Sequence, residues 1–381
     1  MEEKQWCRFV VQSVSLMICA IVICFLYSGG FLKNMEQKAQ ADQVTSQVNS
    51  QDTYFKTAVK SELQSARIVT GGAISARSSK YISIPKSLVT TGATLYISDD
   101  YINSKVILSI RGNTKQKISL DRLVRVNGEK EFCGNPKKSR YDFVKKIEIK
   151  SSRTSKGKYG IDISMTTKKL YEPVLYETEK AYYISFADPL KLYDRIIVVD
   201  AGHGGYDEGA TARNKNYKEK NYNLLIVEEL KRMLDATDIK VYYTRLDDRY
   251  ISKADRVRLA NKLNADMFIS IHCNWTDSSS ANGVETLFSV RENNNDKMSN
   301  VRFAKIMLND ICDVTKQKKR KVIKREGLYL LHHSDVPAII IETGYLSNRS
   351  DFSYLKKSSG QRQMARGIYK GIFDVYGIQG K

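Results

Sequence analysis

Histidine is scarce in this chain. Only His203, His272, His332 and His333 occur among 381 residues. Cysteine offers no alternative metal site. Cys7, Cys19 and Cys24 fall in or beside one apolar N-terminal stretch, and Cys133, Cys273 and Cys312 form an odd set without CxxC spacing. Neither a disulfide framework nor a cysteine zinc site is expected, and these residues read as small apolar fillers. The compact HExxH signature is absent, as are internal repeats and any recognisable nucleic-acid reader motif. Acidic residues are outnumbered, 42 Asp+Glu against 62 Lys+Arg, for a formal net charge of +20. Such a surface suits a polyanionic neighbour. With no reader motif, an anionic wall polymer or membrane surface is expected rather than nucleic acid.

Charge is missing altogether from residues 9–32. That stretch is long enough to span a bilayer as a helix of roughly 20 residues. The only A-x-A near this stretch, Ala39-Gln40-Ala41, lies beyond Lys33, Glu36 and Lys38. An uncleaved single-pass anchor is therefore expected over a removed signal peptide. Residues 1–8 form its flank. Residues 33–65, rich in Gln, Ser, Lys, Asp and Asn, read as a polar stalk.

From 66 to 190 the pattern is short alternating strands, such as Lys105-Val106-Ile107-Leu108-Ser109-Ile110 and Gly160-Ile161-Asp162-Ile163-Ser164. An all-β domain with one buried face per sheet is expected. From 191 to 381 the texture changes. Ile196-Ile197-Val198-Val199 fits a strand buried on both faces. Helices are expected over 221–234, 252–263, 301–311 and 361–373, and strands over 241–243, 267–271, 284–290 and 338–341. This alternation predicts an α/β domain with a mixed, largely parallel sheet and helices on both faces. The run 316–321, Lys-Gln-Lys-Lys-Arg-Lys, reads as a solvated charge run that could contact an anionic wall polymer.

Three of the buried strands lead directly into chemistry. Asp200-Ala201-Gly202-His203-Gly204-Gly205 follows the first, His272-Cys273-Asn274 follows the third, and Glu342-Thr343-Gly344 follows the last. In open α/β sheets functional groups gather where strands end. Glu219, just before the first long helix, would complete a His2Glu set with an open fourth position, a standard catalytic zinc arrangement. Glu342 would be left to act as the base on a water. Asn274 could orient substrate or a ligand. Each residue also has a plain structural role open to it: a packed histidine, a carboxylate at a helix N-terminus, a glutamate paired with a basic neighbour.

The run Val199-Asp200-Ala201-Gly202-His203-Gly204-Gly205-Tyr206-Asp207 resembles the opening motif of the zinc-dependent N-acetylmuramoyl-L-alanine amidases of the Amidase_3 type. Further matches follow in order. They are Glu219-Lys220-Asn221-Tyr222-Asn223-Leu224, Thr244-Arg245 with Asp247 and Asp248, Arg256, Ala260-Asn261, and 265–274. The stretch 337–348, Pro-Ala-Ile-Ile-Ile-Glu-Thr-Gly-Tyr-Leu-Ser-Asn, closes the series. The resemblance implies His203, Glu219 and His272 as zinc ligands, Glu342 as catalytic glutamate, and peptidoglycan as substrate. Arg245, Arg256 and Asn261 are expected in structural pairings. The sequence departs from the family at Ala201, Cys273 and Tyr345, where proline, alanine and phenylalanine are common. The β-rich region resembles the AMIN wall-binding domains that often precede such catalytic domains. Two other readings compete: a non-catalytic wall-binding protein on the same fold, and a zinc peptidase cutting elsewhere in the stem peptide.

Overall fold

The computed structural model describes residues 67–70, 80–88, 94–114, 124–127, 130–133, 143–153, 159–177, 180–212, 217–290 and 298–378. The expected anchor at 9–32 and stalk at 33–65 lie outside these residues. Among the described residues, no helix is long and apolar enough to cross a membrane.

The first ten strands are β1 (Arg67–Thr70), β2 (Lys80–Pro85), β3 (Thr94–Asp100), β4 (Lys105–Thr114), β5 (Val124–Asn127), β6 (Lys130–Cys133), β7 (Val144–Arg153), β8 (Tyr159–Thr167), β9 (Glu172–Glu177) and β10 (Ala181–Ala187). They form an antiparallel sheet β3-β4-β8-β7 and a second sheet β1-β9-β10-β2-β5-β6, in which only the β1–β9 pair is parallel. Alternate residues such as Val106, Leu108 and Ile110 on β4 and Ile161, Ile163 and Met165 on β8 are buried with Ile82, Ile84 and Ile184 of the other sheet. The period-two pattern in the sequence produces this one-sided burial.

After the short helix α1 (Pro189–Leu192) come β11 (Ile196–Ala201), α2 (Glu219–Leu234), β12 (Lys240–Tyr243), α3 (Lys253–Lys262), β13 (Met267–Asn274), β14 (Val284–Phe288), α4 (Asn300–Thr315), β15 (Lys319–Lys324), α5 (Tyr329–His332), β16 (Ala338–Tyr345), α6 (Arg349–Leu355) and α7 (Ser358–Tyr376). The strand order is β12-β11-β13-β16-β14-β15. The first four strands are parallel, β14 is antiparallel to β16, and β15 runs parallel to β14. All six residues of β11 are buried, because both faces of the sheet are covered. Ile197, Val199 and Ala201 pack in one cluster with apolar residues of α2, α4 and α7, such as Ile226, Met307 and Ile368. Ile196 and Val198 pack in another with Val257 of α3, Leu263 at its C-cap and Leu331 of α5. Helix α2 buries Tyr222, Ile226, Val227, Leu230 and Leu234, the three-and-four spacing of an amphipathic helix. Helix α3 starts where the Ser252 hydroxyl accepts from the Asp255 amide at 3.1 Å.

Most of the basic run at 316–321 is exposed, as the charge run implied, but it is structured. Lys316 ends α4 in the left-handed region (φ 57°), and Lys319–Lys324 form the edge strand β15. Long lysine and arginine stems can lie on a sheet while their charges reach water, and charged edges resist pairing with other chains.

The described residues all belong to one compact unit. Within it, buried Glu172 on β9 accepts from Tyr242 Oη and from Lys240 Nζ at 3.0 Å, which ties the β-rich region to edge strand β12.

Candidate metal and catalytic site

The site starts with the backbone beyond β11. His203 sits in the left-handed region (φ 61°), a conformation that a non-glycine residue holds only when its surroundings enforce it. Two buried arginines do so here. Arg245 donates to Ala201 O and Gly202 O, both at 2.8 Å, and to Lys220 O at 2.9 Å. Arg256 donates to Ala201 O and His203 O, both at 2.7 Å, and forms an ion pair with fully buried Asp200. The hydroxyls of Thr244 and Ser270 donate to the same Asp200 carboxylate. Burial alone would raise the Asp200 pKa, but Arg256 and these hydroxyls hold it below the usual carboxylate range. The buried pairings therefore hold three consecutive carbonyls at the strand end. Asn261 does related work elsewhere, donating to His333 O and to Asp335.

His203, Glu219 and His272 are brought together, with one potential ligand atom from each within 4.8 Å of the others. The His203 Nδ1 lies 2.8 Å from Asp207 Oδ1, which orients the ring and directs Nε2 toward Glu219 Oε2 at 3.2 Å. His272 Nδ1 lies 2.9 Å from Glu219 Oε1. Glu219 is the first residue of α2 and only 3% exposed. Its carboxylate accepts from the amides of Ala210 (2.7 Å) and Cys273 (3.0 Å) and from Asn223 Nδ2 (3.3 Å). Burial pushes its pKa up, but the bonds and charges of His203 and His272 outweigh that and hold it far below the ordinary value. His203 is pushed down by burial and more strongly up by Glu219 and Asp207, so its pKa is raised.

Glycine is required at two points. A Cβ on Gly202 would overlap the His272 imidazole. A Cβ on Gly209, which is at φ 66°, would sit 2.6 Å from both Glu219 Oε2 and His203 Cδ2.

Glu342 lies on β16 directly beside His272 of β13 in the parallel register, and beside Glu285 of β14 on its other side. The residue is half-buried, yet Oε2 is sealed from solvent and has no hydrogen-bond partner. Desolvation pushes its pKa up to about 7, with Glu219 and Glu285 adding and His272 opposing. A carboxyl tuned to neutrality beside two imidazoles and a second carboxylate is suited to proton transfer. The fit to a metal is chemical as well as spatial. Two imidazoles and one carboxylate form a donor set zinc accepts, and Glu342 keeps an unused oxygen beside them.

Three site neighbours were not apparent in the sequence. Glu285 is 4% exposed and is bound by Asn274 Nδ2 at 3.0 Å and Arg320 Nε at 2.5 Å. Asn274 thus holds Glu285. Arg320 comes from the edge strand read as a charge run, and also lies 5.1 Å from the Tyr345 ring centre. A lone glutamate in the apolar run Val284-Glu285-Thr286-Leu287-Phe288 was the available signal. Asp207, the third, lay inside the opening motif, but its bond to His203 depends on the turn at 204–207. His332 and His333 do not join the cluster. They occupy α5 and its C-cap, before β16 begins, where His333 stacks on Tyr329.

Fold and cluster together define an α/β domain with a His–Glu–His cluster and a neighbouring carboxyl. Residues 197–374 match the family described as N-acetylmuramoyl-L-alanine amidase. The chain is 34% identical over 187 residues to the "Probable cell wall amidase LytH" of Staphylococcus aureus, covering 48% of this chain and 58% of that protein. The Staphylococcus epidermidis counterpart is 33% identical, with 49% and 59% covered, so the chain spans under three fifths of these relatives. Among solved structures, the N-acetylmuramoyl-L-alanine amidase from Clostridium difficile 630 is 32% identical. It covers 49% of this chain and 98% of its own, with a TM-score of 0.45. The family match is thus confined to the segment 197–374, just under half of the chain.

Proposed function

We propose that the chain is a zinc-dependent N-acetylmuramoyl-L-alanine amidase. It hydrolyses the amide between the lactyl group of N-acetylmuramic acid and the L-alanine of the stem peptide. His203, Glu219 and His272 hold the zinc. The observation that carries the reading is the half-buried Glu342 carboxyl, one oxygen without a partner, on the strand beside His272 of the His–Glu–His trio.

Zinc bound there supplies a Lewis acid that polarises the carbonyl and acidifies water. Glu342 accepts the proton of the attacking water on its carboxylate. The carbon–nitrogen bond then breaks, and Glu342 returns the proton to the departing amine of L-alanine. Asp207 keeps His203 in one tautomer, and Glu219 is held by three donors of its own, so the trio is set before substrate arrives. Asn274 and Arg320 keep Glu285 ordered next to Glu342.

We also propose the apolar residues 9–32 as a single-pass anchor that holds the catalytic domain outside the cell membrane. The β-rich region and the basic surface then meet the wall and its anionic polymers.

The test is product analysis. Zinc-loaded protein is incubated with purified peptidoglycan, and the released fragments are read by mass spectrometry. Stem peptides with free L-alanine N-termini are expected. Fragments cut within the stem peptide would mark a zinc peptidase instead. No release by protein that holds zinc would overturn the amidase reading.

A further inference from the structure

The cluster leaves one neighbouring feature without a role. Tyr206 follows the His203-Gly204-Gly205 run and is 77% exposed, the most exposed large hydrophobic side chain among the described residues. It stacks on Tyr250, also exposed, with ring centres 4.3 Å apart and planes inclined by 25°. The turn that carries it is closed by two bonds between Gly204 and Asp207. It is also anchored from below: the Gly205 amide donates to Asp248 Oδ1 at 2.9 Å, and Lys220 Nζ donates to Gly205 O at 2.7 Å and to Asp248. A Cβ on Gly205 would lie 2.8 Å from the Tyr250 amide, so the turn rests directly on the Tyr250 backbone.

An aromatic pair kept in water on a pinned turn is unfavourable for the free protein, and exposed apolar patches of this kind mark binding surfaces. Its rigidity means little ordering entropy is lost when a flat partner arrives. The patch is continuous with the site, since Tyr206 lies three residues from His203 and one from Asp207, which orients that histidine. The opposite flank, at β14 and β15, carries the Glu285–Arg320 ion pair. The Tyr206 flank joins a flat aromatic face to charged groups, Asp207 and the Lys220–Asp248 pair. A pyranose suits that mix, with an apolar C–H face for the ring and hydroxyls for the charges.

We propose that Tyr206, backed by Tyr250, is a stacking platform for a pyranose ring of the glycan strand, which sets the glycan over the β11 side of the site. The occupant is the apolar C–H face of an N-acetylated sugar. This inference rests on the amidase reading for its direction across the site, but its binding step can be measured without catalysis.

The experiment uses full-length, zinc-loaded protein and a fluorescent, peptide-free glycan oligomer of alternating N-acetylglucosamine and N-acetylmuramic acid. Equilibrium binding is read by anisotropy for wild type, Tyr206→Ala and Tyr206→Phe. Cleavage of intact peptidoglycan by the same wild-type preparation is measured in parallel. Tyr206→Ala is expected to weaken binding about tenfold, while Tyr206→Phe, which keeps the ring face, stays within about twofold of wild type. On cleavable strands Tyr206→Ala should raise KM and leave kcat within about twofold, a split that disturbance of His203 would not give. Equal binding by wild type and Tyr206→Ala overturns the proposal, as does absence of wild-type binding. If wild type cleaves the wall in those cases, the platform alone is wrong. If it does not cleave, the amidase reading fails as well.

Discussion

Replacing Arg256 with methionine tests whether the strand end at 200–203 is held by one buried arginine. Arg256 is 3% exposed in its side chain, and Asp200 is fully buried. The substitution removes donors to Ala201 O, His203 O and Ile251 O and the ion pair with Asp200. Methionine keeps much of the stem volume, so the loss is chiefly electrostatic. Asp200 would retain only Thr244 and Ser270 as its hydroxyl donors. Breaking a buried pair by removing one partner costs about 3–5 kcal/mol. For a domain of this size, that lowers Tm by roughly 6–20 °C. The assay is thermal and urea unfolding of the full chain in excess chelator, so that metal binding does not add to the apparent stability. Adding Asp200→Asn to Arg256→Met should recover part of the loss, because the stranded charge is gone. A loss below about 1 kcal/mol, or no recovery in the double variant, would refute the reasoning.

Other consequences follow from the same geometry. Gly202→Ala pushes a methyl into the His272 ring and should weaken zinc affinity by about 10- to 100-fold, read by competition with a chromogenic chelator. Glu342, with its folded pKa raised from 4.5 to about 7, binds its proton more tightly folded than unfolded. Its contribution is therefore most favourable below pH 4.5 and is lost as pH rises through 7. Glu342→Gln should accordingly stabilise the metal-free protein at pH 8, by about 3 kcal/mol at most, and give no such gain at pH 4, as urea titrations at the two pH values would show. In zinc-loaded wild type, kcat/KM should fall as pH drops and Glu342 is protonated, and the fall should come at a lower pH than the titration of Glu342 in the metal-free protein, because the bound cation favours the carboxylate.

Much of the catalytic fold was legible in the sequence, because burial leaves a strong mark. Ile196-Ile197-Val198-Val199 reads as a two-faced strand since nothing polar fits between two helix layers. The same logic placed His203, His272 and Glu342 at strand ends; the structure sets the backbones of His272 and Glu342 side by side and brings the His203 side chain to His272 from beyond β11. Strand β13 runs on through His272 to Asn274, and β16 through Glu342 to Tyr345, beyond the apolar runs that announced them. What was illegible depends on tertiary partners. Lys319–Lys324 form a strand although four of the six are basic, since an edge strand needs hydrogen bonds on one side and tolerates charge on the other. Arg320 makes sense only once Glu285 lies opposite. The short helix Arg349–Leu355 starts at the Asn348 side chain, which accepts from the Ser350 and Asp351 amides, a local cap with no periodic run to announce it. The Asp207–His203 bond needs the turn at 204–207 to close first.

The central claim is that Glu342 performs the proton transfer at a zinc site built by three other residues. It is tested most directly by the rate of L-alanine-terminated peptide release by wild type and Glu342→Gln at matched zinc content. Glu342→Gln is expected to keep about one zinc per chain and to lose about 100- to 10,000-fold in rate. Release within about tenfold of wild type would contradict it.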